Sequence, residues 1–160
     1  MRKKNKRYIQ ITSIIFILFV IGLYIYKTNT GTLICTSTSL ENDIMLTTEY
    51  QATYKNRKVI KVKAVEKITL DDENELENYK TSLNEMYEAY NGLEYYENNI
   101  SIRGQTLNSV TTINYEKINI DELIKIDSSI RKILDKNNQV SVTKLRKEYR
   151  NTGAVCHYKN

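Results

Sequence analysis

Apolar residues follow several different rhythms along this chain, and each rhythm predicts a different element. From Tyr8 to Tyr26 the rhythm is continuous: nineteen residues lie between Arg7 and Lys27 without a charge, with Gln10, Thr12 and Ser13 as the clearly polar positions. At 1.5 Å per residue the run reaches about 28 Å, close to the ~30 Å hydrocarbon core of a bilayer. Tyr8, Tyr24 and Tyr26 stand at its ends, where amphipathic rings favour the headgroup layer. The run predicts a single transmembrane helix over 8–26, since a helix buried in a core this small would carry a polar face.

The next rhythm is alternation. Leu46, Thr48, Tyr50, Ala52 and Tyr54 alternate with Thr47, Glu49, Gln51 and Thr53, the period of a half-buried strand. Lys55-Asn56-Arg57-Lys58 forms a polar turn in which Asn56 suits positive φ, and a return strand runs from Val59 to about Leu70. Ile60, Val62, Ala64, Ile68 and Leu70 share one face of that strand, and Lys61, Lys63 and Lys67 the other. Glu66 interrupts the apolar face; it reads as the margin of a sheet and is not assigned a catalytic role. Upstream, the β-branched stretch Thr32 to Ser39 predicts another strand, reached through a linker at 27–31.

Helical spacing takes over at Leu76. Leu76, Tyr79, Leu83, Met86, Tyr87 and Tyr90 draw one apolar stripe over about four turns. Asp71, Asp72, Glu73, Glu75 and Glu77 crowd its start, where the macrodipole favours acids, and Gly92 is placed to stop it in the left-handed conformation. These acids lack the spacing of a calcium loop, so no metal is assigned. A second hairpin follows, with 94–103 and 106–115 flanking Gly104-Gln105, a pair suited to a type II′ turn. Its inward residues are Ile100, Ile102, Leu107, Thr111, Ile113 and Tyr115. Asp121 is placed to cap a short helix with Leu123, Ile124 and Ile126, which Ile130, Ile133 and Leu134 continue or restart. Ser141 caps a last helix with Val142, Leu145 and Tyr149 inward and Gly153 as its stop, leaving 154–158 extended. The fold class expected is α+β: the N-terminal span, then an antiparallel sheet of two hairpins with a long central helix and a C-terminal helix on one face.

Charge sets the topology. Five of the first seven residues are Lys or Arg, and after Lys27 no charge appears until Glu41, which puts 1–7 in the cytoplasm and the remainder outside. A cleaved signal and a lipoprotein are the alternatives to a retained anchor. The apolar run is long for a signal core, and Ile34 stands where lipid attachment at Cys35 would want Gly, Ala or Ser. The net charge of +5 belongs to this anchor, because 1–27 hold six basic residues and no acid while the rest carries 18 basic and 19 acidic. A nucleic-acid partner is therefore not indicated. Acids outnumber bases 13 to 7 over 41–97 and bases outnumber acids 11 to 6 over 98–160, a pattern compatible with ordinary surface. Pro and Trp are absent and Lys, Asn, Ile and Tyr abundant, the usage of an AT-rich bacterial genome, so the 13 tyrosines do not mark a sugar-binding platform.

Cys35 and Cys156 both fall outside the membrane in this topology and are expected to pair. Such a bridge would tie the free C-terminus to the anchored end.

The order of these elements resembles the small YehR-like bacterial lipoproteins. The resemblance is carried by the Cys35-Thr36 pair, the hairpin Tyr50-Gln51-Ala52-Thr53-Tyr54-Lys55-Asn56-Arg57-Lys58-Val59, a helix closing on Tyr90-Asn91-Gly92, the second hairpin, and a final helix ending near Gly153. It covers most of 32–156 and implies an extracytoplasmic α+β domain without assigning catalytic residues. The chain departs from the family in lacking a lipobox before Cys35.

Chemistry is sparse. The single histidine, His157, is next to Cys156 and would point to the opposite side of an extended segment, so the two make no dyad. No HExxH, GxSxG, P-loop or dinucleotide fingerprint occurs, and one histidine with two distant cysteines does not complete a usual zinc site. The expectation is a non-enzymatic binding or interaction domain at the outer membrane face, without cofactor, contacting an envelope ligand or protein through its sheet face or edges. The alternative is an accessory or scaffold subunit of a membrane complex; the span holds Gly22 alone and no GxxxG to support close helix packing.

Overall fold

The computed structural model describes residues 30–41 and 44–159. The expected tail at 1–7, the transmembrane helix at 8–26 and linker residues 27–29 lie outside the described residues. Among the described residues, no helix is long and apolar enough to cross a membrane.

Six strands form one antiparallel sheet: β1 (Thr30–Glu41), β2 (Ile44–Lys55), β3 (Lys58–Thr69), β4 (Tyr96–Arg103), β5 (Thr106–Ile113) and β6 (Val155–Lys159), in the order β4-β5-β3-β2-β1-β6. Helix α1 (Glu73–Glu88) connects β3 to β4; α2 (Ile120–Ile126), a 3₁₀ turn (Ser128–Ile133) and α3 (Val142–Asn151) fill the connection from β5 to β6. The two predicted hairpins, β2–β3 and β4–β5, join through β3 and β5, so the sheet alternation produced the centre of the fold. The strand expected from Thr32 begins at Thr30, which takes the last two residues of the predicted linker into the sheet. Gly31 leaves room there for the Tyr54 ring on the neighbouring strand, whose hydroxyl would be 2.6 Å from a Cβ and would have to shift.

The helices cover one face. On the β1–β2 side, Leu33, Cys35, Ala52 and Val62 pack beneath Ile124, Val142 and Leu145 in the largest buried cluster. Under α1 the buried cluster is smaller, with Leu70, Leu76 and Leu107 at its centre. Leu93, Ile118 and Leu123 close the corner between them.

Departures from the predicted pattern have identifiable causes. A register shift between Thr53 and Tyr54 sets Tyr54 opposite Val59 and leaves Ile60 as the extra residue, so Val59 rather than Ile60 enters the core at that end. Met86, expected in the helical stripe, is 58% exposed, because Tyr87 one position on takes the inward direction. Asn119, not Asp121, caps α2: its side chain accepts from the Asp121 and Glu122 amides at 3.1 and 3.3 Å. Ile126 faces outward at the end of the same helix. Asp72 caps α1 by accepting from Asn74 and Glu75, which gives one member of the acidic cluster a structural role. Gly92, Gly104 and Gly153 take positive φ where the sequence places two helix stops and the second hairpin turn.

Candidate functional site

Cys35 and Cys156 face each other directly across β1 and β6 and form a disulfide, with Cα atoms 4.1 Å apart. Cys35 is fully buried under α3, within the apolar cluster. No free cysteine occurs among the described residues, and His157 is exposed on the other side of β6. The pair is thus a structural tie. It lies about four strand spacings, some 19 Å, from β4 at the opposite edge.

The polar chemistry of the inner face is concentrated under α1 instead. Glu66 is not at a sheet margin: β3 is flanked by β2 and β5, and Glu66 sits at its inward-facing centre, level with Thr48 on one side and Ser109 on the other. One pleat along, Tyr50, Ala64, Thr111 and Asn98 form the adjacent row across four strands. Thr48, Ser109 and Thr111 are buried, at 5%, 1% and 9% exposure. These two rows make a polar seam between the apolar cluster under α3 and the one under α1.

Tyr87 closes the seam from above. Its hydroxyl is close enough to the Glu66 carboxylate and to the Ser109 and Thr111 hydroxyls to interact with all three. Asn98 Nδ2 donates to Thr111 Oγ1 at 2.8 Å and to Ser109 Oγ at 3.3 Å. Burial raises the Glu66 carboxyl above its ordinary pKa, and the Tyr87 hydrogen bond opposes that rise only in part. Tyr87 and Tyr50 are also raised, first by burial and then by the charge of Glu66. A half-buried carboxylate with no cationic partner among the described residues is thereby held beside hydroxyls in the middle of a sheet, a costly placement.

Next to the seam, a cleft of about 580 Å³ opens between the C-terminal half of α1 and edge strand β4. Tyr87, Tyr90 and Tyr96 supply its rings; Tyr90 and Tyr96 stack with centroids 4.7 Å apart and planes 15° from parallel. Burial raises the Tyr96 hydroxyl far above its ordinary pKa, which keeps it neutral. Glu85, Glu88 and Glu97 also line the cleft, Glu97 from the strand position that alternates with the inward Tyr96 and Asn98, and neither Lys nor Arg does. Helix α1 also ends here without a basic residue in its last turn, although the negative end of the macrodipole favours cations there. Tyr87 and Asn98 belong to both cleft and seam, so what enters the cleft touches the network that holds Glu66.

None of these residues is singled out by the sequence reading as a site. The available signal was the conflict at Glu66, strengthened by hydroxyls at inward positions of β5, where Leu107 is followed two and four residues later by Ser109 and Thr111. Among the described residues, no group of three or more His, Cys, Asp or Glu side chains is placed to hold a metal ion.

The fold matches that of the YehR protein of Escherichia coli, with a TM-score of 0.54 and 17% identity over 80% of this chain and 89% of YehR. A protein from Streptococcus pneumoniae TIGR4 has the same fold, at a TM-score of 0.51 and 14% identity over 81% of this chain and 86% of its own. No curated protein matches the sequence. Residues 36–154, from the middle of β1 to the end of the turn after α3, match the family described as protein of unknown function DUF1307, and the chain belongs to that family.

Proposed function

We propose that the chain is a non-catalytic binding module held at the outer face of a membrane by residues 8–26, and that its ligand seat is the tyrosine cleft between α1 and β4. The ligand presents a positively charged group. The observation that carries this reading is the make-up of the cleft: three tyrosines and three glutamates line one opening, and no basic residue does. An ammonium or guanidinium group over a tyrosine ring gains cation–π attraction. The same charge would meet the demand of the α1 C-terminus, whose last turn has no basic residue. The membrane placement rests on the uncharged run at 8–26 and its basic flank.

The test uses the full chain in lipid nanodiscs with labelled tyrosine rings, titrated with n-butylammonium and, separately, with neutral n-butanol. The rings of Tyr87, Tyr90 and Tyr96 are expected to shift with the cation and much less with the alcohol. The response should be lost in a Glu85→Gln, Glu88→Gln, Glu97→Gln variant that keeps its fold. Equal responses to the two probes, or shifts confined to other tyrosines, would remove the cation from the proposal.

A further inference from the structure

The two ends of the sheet carry opposite charge. At the end where β1 begins, the β2–β3 turn presents Lys55, Arg57 and Lys58, β6 finishes with Lys159 paired to Thr32, and the adjoining loop presents Lys136; all five are exposed. Near them, Asp135 accepts from the amides of Asn137 and Gln139 in its own loop, at 2.7 and 3.1 Å, and feels the charge of Lys58, while Glu116 lines the same opening as Lys55 and Lys58. At the far end, where β3 runs into α1, Asp71, Asp72, Glu73 and Glu75 gather.

The basic tip is built against local stability. Asn56 and Arg57 form the two-residue turn with φ of 52° and 65°, and the second of these positions ordinarily takes glycine. A β-carbon at that φ is unfavourable, yet arginine occupies it. Lys55 and Lys58 stand directly opposite each other across the hairpin, where like charges repel. Sequences that break local rules without a local gain commonly serve a site.

Geometry says what this end would meet. Thr30 starts β1 beside Lys55, and only residues 28 and 29 stand between Lys27 and Thr30. Those few residues span at most about 10 Å when extended, comparable to the ~8 Å Debye length at physiological ionic strength. We propose that this basic end docks on the phosphate headgroups of an anionic bilayer, which would direct the acidic end away from the lipid in a fixed orientation. The proposal rests on the anchored reading above. Its partner is the lipid surface and not a soluble anionic polymer, because the first strand of the fold starts at the same end as the charges.

The experiment compares the full chain in nanodiscs of phosphatidylcholine alone and of phosphatidylcholine mixed with phosphatidylglycerol, and reads lysine acetylation rates by mass spectrometry. In the anionic discs, Lys55, Lys58 and Lys159 are expected to slow roughly fivefold, about the effect of one basic residue at such a surface, and to recover in high salt. Lys67 and Lys80, further along β3 and on α1, should keep their rates. Arg57→Gly suits the turn better and is expected to raise resistance to urea while returning Lys55 and Lys58 toward the unprotected rate. Equal rates in both discs, or slowing of Lys67 and Lys80 by the same factor, would overturn docking. Protection reproduced by soluble polyphosphate with neutral discs would overturn the choice of partner. Failure to co-elute with the neutral discs would sink the anchor instead, and docking would then stand or fall on co-elution with the anionic ones.

Discussion

The two halves of the sheet's inner face use the same pleated geometry for different ends. Beneath α3, facing strands contribute Leu33, Ala52 and Val62, and a disulfide joins β1 to the last strand. Beneath α1, the corresponding central positions are Thr48, Glu66, Ser109 and Thr111, and the cleft opens at the edge. Burying a carboxylate among hydroxyls is unfavourable compared with burying aliphatic groups. The contrast places the larger apolar cluster and the covalent tie in one half and the polar groups and the cleft in the other.

Removing the tie should have the largest effect. The bridge closes a loop with a sequence separation of 121, so replacing Cys35 and Cys156 with serine is expected to cost about 5 kcal/mol by loop-closure entropy. Urea unfolding of the full chain in micelles, oxidised against the double variant, checks it. A loss below ~1 kcal/mol would show that the unfolded chain gains little from release, and the division of labour between the halves would lose its main support.

Cavity formation sharpens the same comparison. Leu33 and Leu76 are both fully buried, and truncating either to alanine falls in the range of about 2–5 kcal/mol. Leu33→Ala is expected near the upper end, because its cluster is closed on all sides by strands and helices. Leu76→Ala is expected nearer ~2–3 kcal/mol, since α1 can settle over a small cluster. Hydrogen exchange distinguishes them: Leu33→Ala should lower protection throughout the sheet, and Leu76→Ala mainly in α1. Identical exchange patterns would mean that the halves unfold as one unit.

A smaller change tests the seam itself. Tyr87→Phe keeps the ring and removes the hydroxyl shared by Glu66, Ser109 and Thr111. The expected loss is about 1–2 kcal/mol, set by the buried groups left without that partner. A larger loss for Tyr50→Phe than for Tyr87→Phe would move the centre of the network toward β2.

Most of the architecture was legible because alternation and helical spacing are decided locally. Ser141, Val142, Leu145 and Gly153 fall where their residue types direct, as do Leu76, Gly92 and Gly104. The misplacements arose where packing against another element decides which of two neighbouring residues turns inward. Ile60 lost its inward position to a bulge set by pairing with β2, and Met86 lost its own to Tyr87. The site was less legible for the same reason. Period two marks Glu66 as inward, but its place between β2 and β5 depends on the strand order, and Asn98 reaches Thr111 only after β4 pairs with β5. The cleft needs the C-terminal half of α1 and strand β4 side by side, a relation with no signature in either segment.

Protonation of Glu66 gives the finest test of the seam. Burial raises its pKa in the folded chain, so the native state holds this proton more tightly than the unfolded state does. As pH rises through the ordinary carboxylate range toward the elevated native value, the unfolded chain binds fewer protons than the native one, and stability must fall over that window. Above the native value the loss is complete; below the ordinary range it is absent. Asp135 has the opposite sign, because the Gln139 and Asn137 amides lower its pKa and its stabilisation disappears as pH falls. The comparison that isolates Glu66 is therefore the difference between the wild-type chain and Glu66→Gln, in which Asp135 cancels. Urea midpoints across the acid-to-neutral range should show wild type losing stability relative to the variant as pH rises. Parallel curves would mean that Glu66 titrates alike in both states and that the seam does not hold its proton.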